Sequence, residues 1–206
     1  ARNDIVIRGN SPTGVLWRLE GIPIPNPNHF STLGTTGGPV SALNPNMIAN
    51  SDFLTGAFPA EYGNATAGVF DINLRQGNKE RSEFMFQLGA FSGLEALAEG
   101  PLNKKNDGSF VVAYRHSFTE IADAAGLNIG TSATPRYKDL SFNVDFGNGK
   151  AGKFSLFGIG GHSSIDFLGA EIDTTDLFAN PNENAYNVSK FGVIGLKHNI
   201  LLNDRS

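Results

Sequence analysis

The residue types that carry metal or acid–base chemistry are scattered along this chain. The four histidines form neither a His-Glu-x-x-His pair nor a His-x-His pair, so we expect each to be a loop or strand surface residue rather than a metal ligand. They are His29, His116, His162 and His198. The chain has no cysteine, which excludes disulfides, thiolate metal sites and cysteine nucleophiles.

Two further segments invite a chemical interpretation and do not support one. Gly158-Ile159-Gly160-Gly161 lacks a third glycine at the spacing of a phosphate-binding loop, and no strand-to-helix unit surrounds it. A glycine run within a strand is therefore the better interpretation. The acidic stretch from Glu171 to Asp176 has no EF-hand pattern and is expected to be a solvated loop. There is no Gly-x-Ser-x-Gly elbow. We therefore predict no enzymatic activity, no metal and no cofactor.

The composition favours a β protein that does not bind nucleic acid. Of the 206 residues, 40% are hydrophobic and 17% are charged, below the roughly 25% charged residues of soluble domains. The 25 glycines and 16 phenylalanines suit short strands and tight turns. The net charge of −4 offers no basic surface. No run approaches the ~20 apolar residues of a membrane helix, and the polar start is not that of a signal peptide, so a membrane role requires a barrel.

The chain divides into two parts with different rhythms. Residues 1–78 are irregular, with short strands between clusters of Gly, Pro and Asn. Strands are predicted at Ile5–Ile7, Val15–Leu19, Asp52–Thr55 and Val69–Leu74. A helical turn is predicted within 41–50. The prolines of Ile22–Pro27 exclude a central strand, because proline cannot donate to a ladder.

Residues 79–206 show longer strands in which apolar and polar residues alternate. In the clearest example, Leu140, Phe142, Val144 and Phe146 alternate with Ser141, Asn143 and Asp145. Alternation also marks residues 84–90, 94–99 and 109–115, and strands are expected at 153–161 and 188–200.

The connections between these strands alternate in length. Short turns at Asn106-Asp107-Gly108 and Asn148-Gly149-Lys150 are followed by long segments at 118–136, with a short predicted helix, and at 165–186. Such a pattern is typical of an up-and-down membrane barrel. A soluble antiparallel sandwich alternates as well, and periodicity alone favours it because soluble β domains are commoner.

An ordered set of short motifs in the first part resembles the plug domain of TonB-dependent outer-membrane transporters. The chain has Ile7-Arg8-Gly9, then Glu20-Gly21-Ile22-Pro23 with Glu in place of the usual Asp, then Leu54-Thr55-Gly56, and then the run from Phe58 to Ile72 with Tyr62-Gly63 and Gly68-Val69. The last run, with Ala98–Pro101 and Lys153–Gly158, resembles receptors of Bacteroidetes-type bacteria. The motif glycines Gly9, Gly21, Gly56, Gly63 and Gly68 suit tight turns at positive φ.

The resemblance implies a mainly β fold in two parts. Residues 1–78 would be the C-terminal part of a plug, a small mixed sheet with loops and a short helix. Residues 79–206 would be antiparallel strands of an incomplete barrel, about six where the family closes with roughly twenty-two. Plug arginines of the family pair with barrel glutamates, which makes Arg8 a locking candidate and Glu95 and Glu99 its candidate partners.

The resemblance also implies a function: energised uptake of a nutrient across the outer membrane of a Gram-negative bacterium, with the plug as gate. The nutrient would be an iron chelate, oligosaccharide, peptide or vitamin, bound by loops at 29–39, 118–136 and 165–186. Expected partners are the TonB complex, through a segment outside this chain, outer-membrane lipid and a surface lipoprotein. The alternative is a soluble β-sandwich-like ligand-binding module. In the transporter interpretation, the strands of the incomplete barrel would have bare edges and an apolar face. The isolated chain should therefore self-associate or fold back on the plug part.

Overall fold

The computed structural model describes residues 4–31, 35–89, 93–117, 119, 126, 133–167 and 185–200. In these ranges the chain is almost entirely β, with 3₁₀ turns at Pro12–Gly14 and Pro45–Met47. The strands are β1 (Val15–Leu19), β2 (Ile22–Ile24), β3 (Asn28–His29), β4 (Val40–Ser41), β5 (Asp52–Leu54), β6 (Gly68–Ile72), β7 (Glu83–Gly89), β8 (Gly93–Asn103), β9 (Gly108–His116), β10 (Ala133–Gly149), β11 (Gly152–Phe167) and β12 (Ala185–Asn199). None of the helical turns in these ranges has the length or hydrophobicity needed to span a bilayer.

The N-terminal part forms a small mixed sheet with the strand order β2-β1-β6-β5. β1 pairs with β6 in parallel, while β2 and β5 are antiparallel edge strands. Glu20 and Gly21 connect β1 to β2 with positive φ at both residues, 53° and 83°, which is the backbone of a two-residue hairpin turn. Pro23 is tolerated because β2 is an edge strand. β3 and β4 pair separately beside this sheet.

One strand predicted in this part is wrong. Ile5–Ile7 is not a strand, because the Ile5 amide donates to Thr36 Oγ1 at 2.9 Å rather than to a ladder. The helical turn predicted within 41–50 is confirmed as the 3₁₀ turn, where Asn44 Oδ1 accepts from the Asn46 amide at 2.9 Å.

β7 to β12 form one antiparallel sheet in sequence order, which we call the wall sheet. Its connections at 104–107 and 150–151 are short, whereas β9–β10 and β11–β12 are joined by the long segments 117–132 and 168–184. Among the described residues, β7 and β12 remain unpaired edges, so the sheet does not close. The predicted fold class, a small mixed sheet followed by antiparallel strands that do not close, is confirmed. Apart from Thr119, the predicted helix at 118–125 lies outside the described residues, as do the acidic stretch from Glu171 to Asp176 and most of the loop at 165–186.

The wall sheet has an inner face that contacts the N-terminal part and an outer face that no other described element covers. Inner positions on β10 are buried, namely Tyr137, Asp139, Ser141, Asn143 and Asp145. Outer positions expose large apolar side chains, which are 44% to 76% exposed: Phe84, Phe86, Leu88, Leu140, Ile194 and Leu196. The alternation predicted for these strands therefore separates a buried, largely polar face from an exposed, apolar one.

One apolar core joins the two sheets. Trp17, Leu19, Met47, Ile72 and Leu74 from the N-terminal part meet Leu97, Val111, Ala113, Phe157 and Ile159 from the inner face of the wall sheet. Phe157 and Leu19 are almost completely inaccessible. The N-terminal part is thus packed onto the inner face of the wall sheet.

Candidate functional site

The polar contacts around this core form the candidate site. Arg75 follows the N-terminal sheet, and its guanidinium makes a two-pronged ion pair with Glu99 on β8, Nη1 to Oε2 at 2.7 Å and Nη2 to Oε1 at 2.8 Å. The Asn78 amide donates to the same carboxylate at 2.8 Å. The hydrogen bond to Glu99 raises the pKa of Arg75 above its ordinary value, so the arginine stays charged. Paired hydrogen bonds of this kind fix both distance and orientation.

A second contact lies four residues earlier on β8. Glu95 is buried, and its Oε1 accepts from the side-chain amides of Asn44 and Asn46, both at 2.8 Å. Both asparagines belong to the 3₁₀ turn, whose N-cap is Asn44. One carboxylate oxygen therefore fixes this turn of the N-terminal part against the wall sheet.

A third contact is a buried cluster of three charged or polar side chains. His29 Nε2 lies 2.9 Å from Asp139 Oδ2, and Arg115 donates to both oxygens of Asp139, at 3.0 and 2.9 Å. Arg115 also donates to the Ser41 carbonyl at 2.6 Å. Exposures of 1%, 3% and 6% for His29, Asp139 and Arg115 place the cluster out of water. In a buried pair of this kind each charge compensates the other, so the loss of one partner leaves an uncompensated charge away from water.

The wall sheet is shaped to receive His29. A Cβ at Gly161 would lie 2.7 Å from His29 Cε1, so only glycine allows the ring to approach β11 this closely. The ring also packs against Tyr137, with centroids 4.9 Å apart, and against Phe191. Next to it, the Phe30 amide donates to Ser163 Oγ at 3.0 Å. The prediction that His29 is a surface residue is wrong.

A fourth contact involves the hairpin turn between β1 and β2. Glu20 Oε1 accepts from the Leu74 amide at 2.7 Å, and its Oε2 lies 2.9 Å from Lys197 Nζ on β12. The backbone is fixed at both residues, because Glu20 lies in the hairpin turn and Lys197 lies in the ladder with β11. The contact is half-exposed at the lysine and hence weaker than the buried ones.

The locking candidates are not brought together as the resemblance implied. Glu95 and Glu99 both lie on the inner face, but their partners are Asn44, Asn46 and Arg75. Arg8 is exposed, and its guanidinium donates to Thr55 Oγ1 at 3.5 Å.

The remaining motif residues shape the N-terminal part itself. Tyr62 donates to Asp71 Oδ2 at 3.0 Å, and this hydrogen bond raises the pKa of Tyr62. Arg18 stacks on the same ring, 4.6 Å from its centroid. Pro23 lies opposite Arg18 on the edge strand.

Of the motif glycines, two adopt the expected turn conformation. Gly9 and Gly21 have positive φ, whereas Gly56, Gly63 and Gly68 do not. Gly68 is instead a close-approach position, where a Cβ would lie 2.3 Å from Ile7 Cδ1.

The sequence contained a signal for part of this site and none for the rest. Arg115 and Asp139 lie on the inward positions of alternating strands, so their orientation was predictable. Their pairing with His29 depends on a register between segments 110 residues apart, which no local pattern encodes. Arg75 was missed because it lies outside the resembling motifs.

Chemically, the arrangement is a set of non-covalent contacts. It consists of ion pairs and hydrogen bonds between two parts of one chain, each of which water can replace without breaking a covalent bond. In the described ranges, no three His, Asp or Glu side chains come together as a metal site requires. The site is therefore a reversible attachment between the N-terminal part and the wall sheet.

In comparisons with known proteins, a family model matches the first third of the chain. Residues 1–69 match the family model of the TonB-dependent Receptor Plug Domain. Among curated proteins, none matches the chain. A solved structure similar to the chain is the siderophore receptor PirA from Acinetobacter baumannii, with a TM-score of 0.49 and 16% sequence identity over 93% of this chain. The chain spans 38% of the length of that receptor.

Proposed function

We propose that this chain, which carries a TonB-dependent receptor plug domain over residues 1–69, is part of an outer-membrane transporter for energised nutrient uptake. In this proposal residues 1–78 form the C-terminal part of the plug and act as the gate. Residues 79–206 are the first strands of the surrounding barrel. TonB-dependent receptors are transporters of the outer membrane, and the TonB complex would act through a segment outside this chain.

The observation that carries the proposal is the inverted wall sheet. Phe86 and Ile194 on the outer face are 76% and 75% exposed, while Ser141 and Asp145 on the inner face are 2% and 1% exposed. A soluble sandwich does the reverse, because it buries the apolar face of each sheet. An apolar exterior around a polar interior is the pattern of a membrane barrel. The soluble ligand-binding alternative has no such explanation for the outer face.

The attachment residues support the role of a gate. A plug must stay closed at rest and yet be displaced by a pull, so its contacts must be numerous and individually modest. Hydrogen bonds to charged groups contribute roughly 1.5–3 kcal/mol each, and they can be exchanged for water one at a time. We propose Arg75–Glu99, Glu95 with its two asparagines, and the His29–Asp139–Arg115 cluster as the plug lock, with Arg8 outside it.

The segments 29–39, 118–136 and 165–186 connect strands at the long-loop end of the wall sheet or lie in the plug, and we propose that they bind the ligand. Iron chelates, oligosaccharides, peptides and vitamins remain candidates. The run from Phe58 to Ile72 supports a receptor of the Bacteroidetes type, in which a surface lipoprotein encoded nearby would point to glycans or peptides.

The experiment uses the intact reading frame that contains this chain. Its deletion should abolish growth when one of the four nutrient classes is limiting, and the wild-type gene should restore growth only in cells with a functional TonB complex. A matched variant, Val112→Ala on the outer face, should restore growth equally well. Restoration without TonB, or recovery of the protein from the soluble fraction, would overturn the proposal.

A further inference from the structure

The outer face of the wall sheet carries a row of cationic and imidazole side chains above its apolar band. Lys138 on β10 pairs with His162 on β11, which pairs with Lys190 on β12, so the three lie side by side across the strands. Lys138 also pairs with His116 on β9, which extends the row. Both lysines are exposed and His162 is half-buried. Neighbouring strands are about 4.8 Å apart, so the two lysine positions are separated by roughly 10 Å.

Directly beside this row lies an apolar groove. It is lined by Leu140, Phe142, Gly160, Gly192 and Ile194. Gly160 and Gly192 pair with each other one outward position below His162 and Lys190, and their missing side chains leave the trough open.

Backbone geometry does not demand these two glycines. A Cβ at Gly192 would meet nothing within 4 Å, and one at Gly160 would meet only atoms at ordinary contact distances of 3.5 and 3.8 Å. Neither residue has positive φ. This contrasts with Gly158, where a Cβ would lie 2.6 Å from the Phe142 ring, and with Gly161, which admits His29. The backbone therefore does not require glycine at either position, and the effect of both glycines is to keep the groove open.

A positive row above an apolar groove is complementary to one class of molecule, an amphiphile with an anionic head and an acyl chain. Lysine ammonium groups and an imidazole N–H donate to phosphate oxygens. Among the described outward positions of β10 to β12, one residue is acidic, Asp166. It lies on β11 two outward positions beyond His162, toward the long loop. The row lies at the end of the sheet that carries the long connections, the extracellular end of an outer-membrane barrel.

We propose that Lys138, His162 and Lys190, with the groove over Gly160 and Gly192, form a binding site for a phosphate-bearing lipid of the outer leaflet. The headgroup phosphate lies at the cationic row, and one acyl chain occupies the groove. This inference rests on the proposed function, because it requires the outer face to be in a membrane.

The test compares lipid retention by the intact protein in detergent, counted by native mass spectrometry, for phosphatidic acid and phosphatidylcholine. Wild-type protein should retain phosphatidic acid with a roughly tenfold preference, since each basic side chain near an anionic headgroup strengthens binding severalfold. The variant K138Q/H162Q/K190Q should lose most of that preference. The matched control K104Q/K105Q/K150Q, which removes three cations at the short-turn end, should keep it.

A second variant separates a built site from general attraction to charge. Gly192→Leu adds a side chain over the groove at a position where a Cβ meets nothing within 4 Å, and it keeps every cation, so it should reduce phosphatidic acid retention severalfold. Free inorganic phosphate should not displace the lipid. An equal effect of the two triple variants, or no effect of Gly192→Leu, would overturn the lipid site alone. Recovery of wild-type protein without a membrane would overturn the proposed function as well.

Discussion

The two faces of the wall sheet are built from the same strands and serve opposite environments. On β10, Ser141, Asn143 and Asp145 point inward and are buried on the side of the N-terminal part, the proposed plug, while Leu140 and Phe142 point outward. The inner face uses hydrogen bonds and ion pairs, such as Asn143 Nδ2 to the Arg75 carbonyl at 3.0 Å. The outer face is left uncovered by the rest of the described residues. Two-residue periodicity thus places an exposed apolar surface on one side of the sheet and a buried surface with specific polar contacts on the other.

The inner positions determine which residues contact each other, and the outer positions determine the environment that the sheet can face. Inner positions depend on particular partners, so a conservative change there should matter. Outer positions depend on being apolar, so a change of size should matter little. The following substitutions test this contrast by hydrogen exchange of plug amides in the intact protein, which reports the free energy of local opening.

The largest effect is expected at the buried cluster. Asp139→Ala removes the carboxylate that satisfies His29 and Arg115, and leaves a buried guanidinium without its counter-charge. We expect the opening free energy of the plug to fall by about 3–5 kcal/mol. Val112→Ala, on the outer face of the neighbouring strand, is the control and should change it by less than about 0.5 kcal/mol. Equal effects at the two positions would erase the contrast between the faces.

The next effect concerns the apolar core between the sheets. Phe157 is 1% exposed and packs between plug and wall, so Phe157→Ala should destabilise by about 3 kcal/mol through lost burial and a cavity. Leu196→Ala removes a side chain that is 64% exposed on the outer face. Its effect on plug opening should be near zero. A large effect of Leu196→Ala on plug amides would show that the outer face supports the plug after all.

A smaller effect separates the two glutamates. Glu99→Gln removes the charge that pairs with Arg75, and we expect a loss of about 1.5–3 kcal/mol. Glu95→Gln keeps an amide oxygen that can still accept from Asn44 and Asn46, so its cost should stay below about 1 kcal/mol. Reversal of this order in hydrogen exchange would mean that the ion pair is not part of the lock.

The smallest effect is expected at Arg8, the locking candidate that family resemblance suggested. Its guanidinium is exposed with one long hydrogen bond, so Arg8→Ala should change plug opening by less than about 0.5 kcal/mol. Arg75→Ala is the matched comparison and should cost several times more. If Arg8→Ala opened the plug and Arg75→Ala did not, the assignment of the lock would be wrong.

Much of the fold followed from local patterns, because strand alternation and turn residues act over a few positions. The strands at 15–19 and 109–115 and the turn after Leu19 were of this kind. The site was harder, since His29 and Asp139 meet across 110 residues of chain. His29 in particular carries no local sign of burial; Gly161, which admits it, looked like part of a glycine run in a strand.

The central claim is that the outer face of the wall sheet lies in lipid while its inner face holds the plug. The chain has no cysteine, so single cysteines can be placed at Val112, Val144 and Leu196 on the outer face and at Ala113 and Ser141 on the inner face. Each variant of the intact protein is labelled with an environment-sensitive fluorophore and placed in vesicles with brominated acyl chains. We expect strong quenching at the three outer positions and none at the inner positions. Quenching of the outer positions by aqueous iodide, with none by brominated lipid, would contradict it.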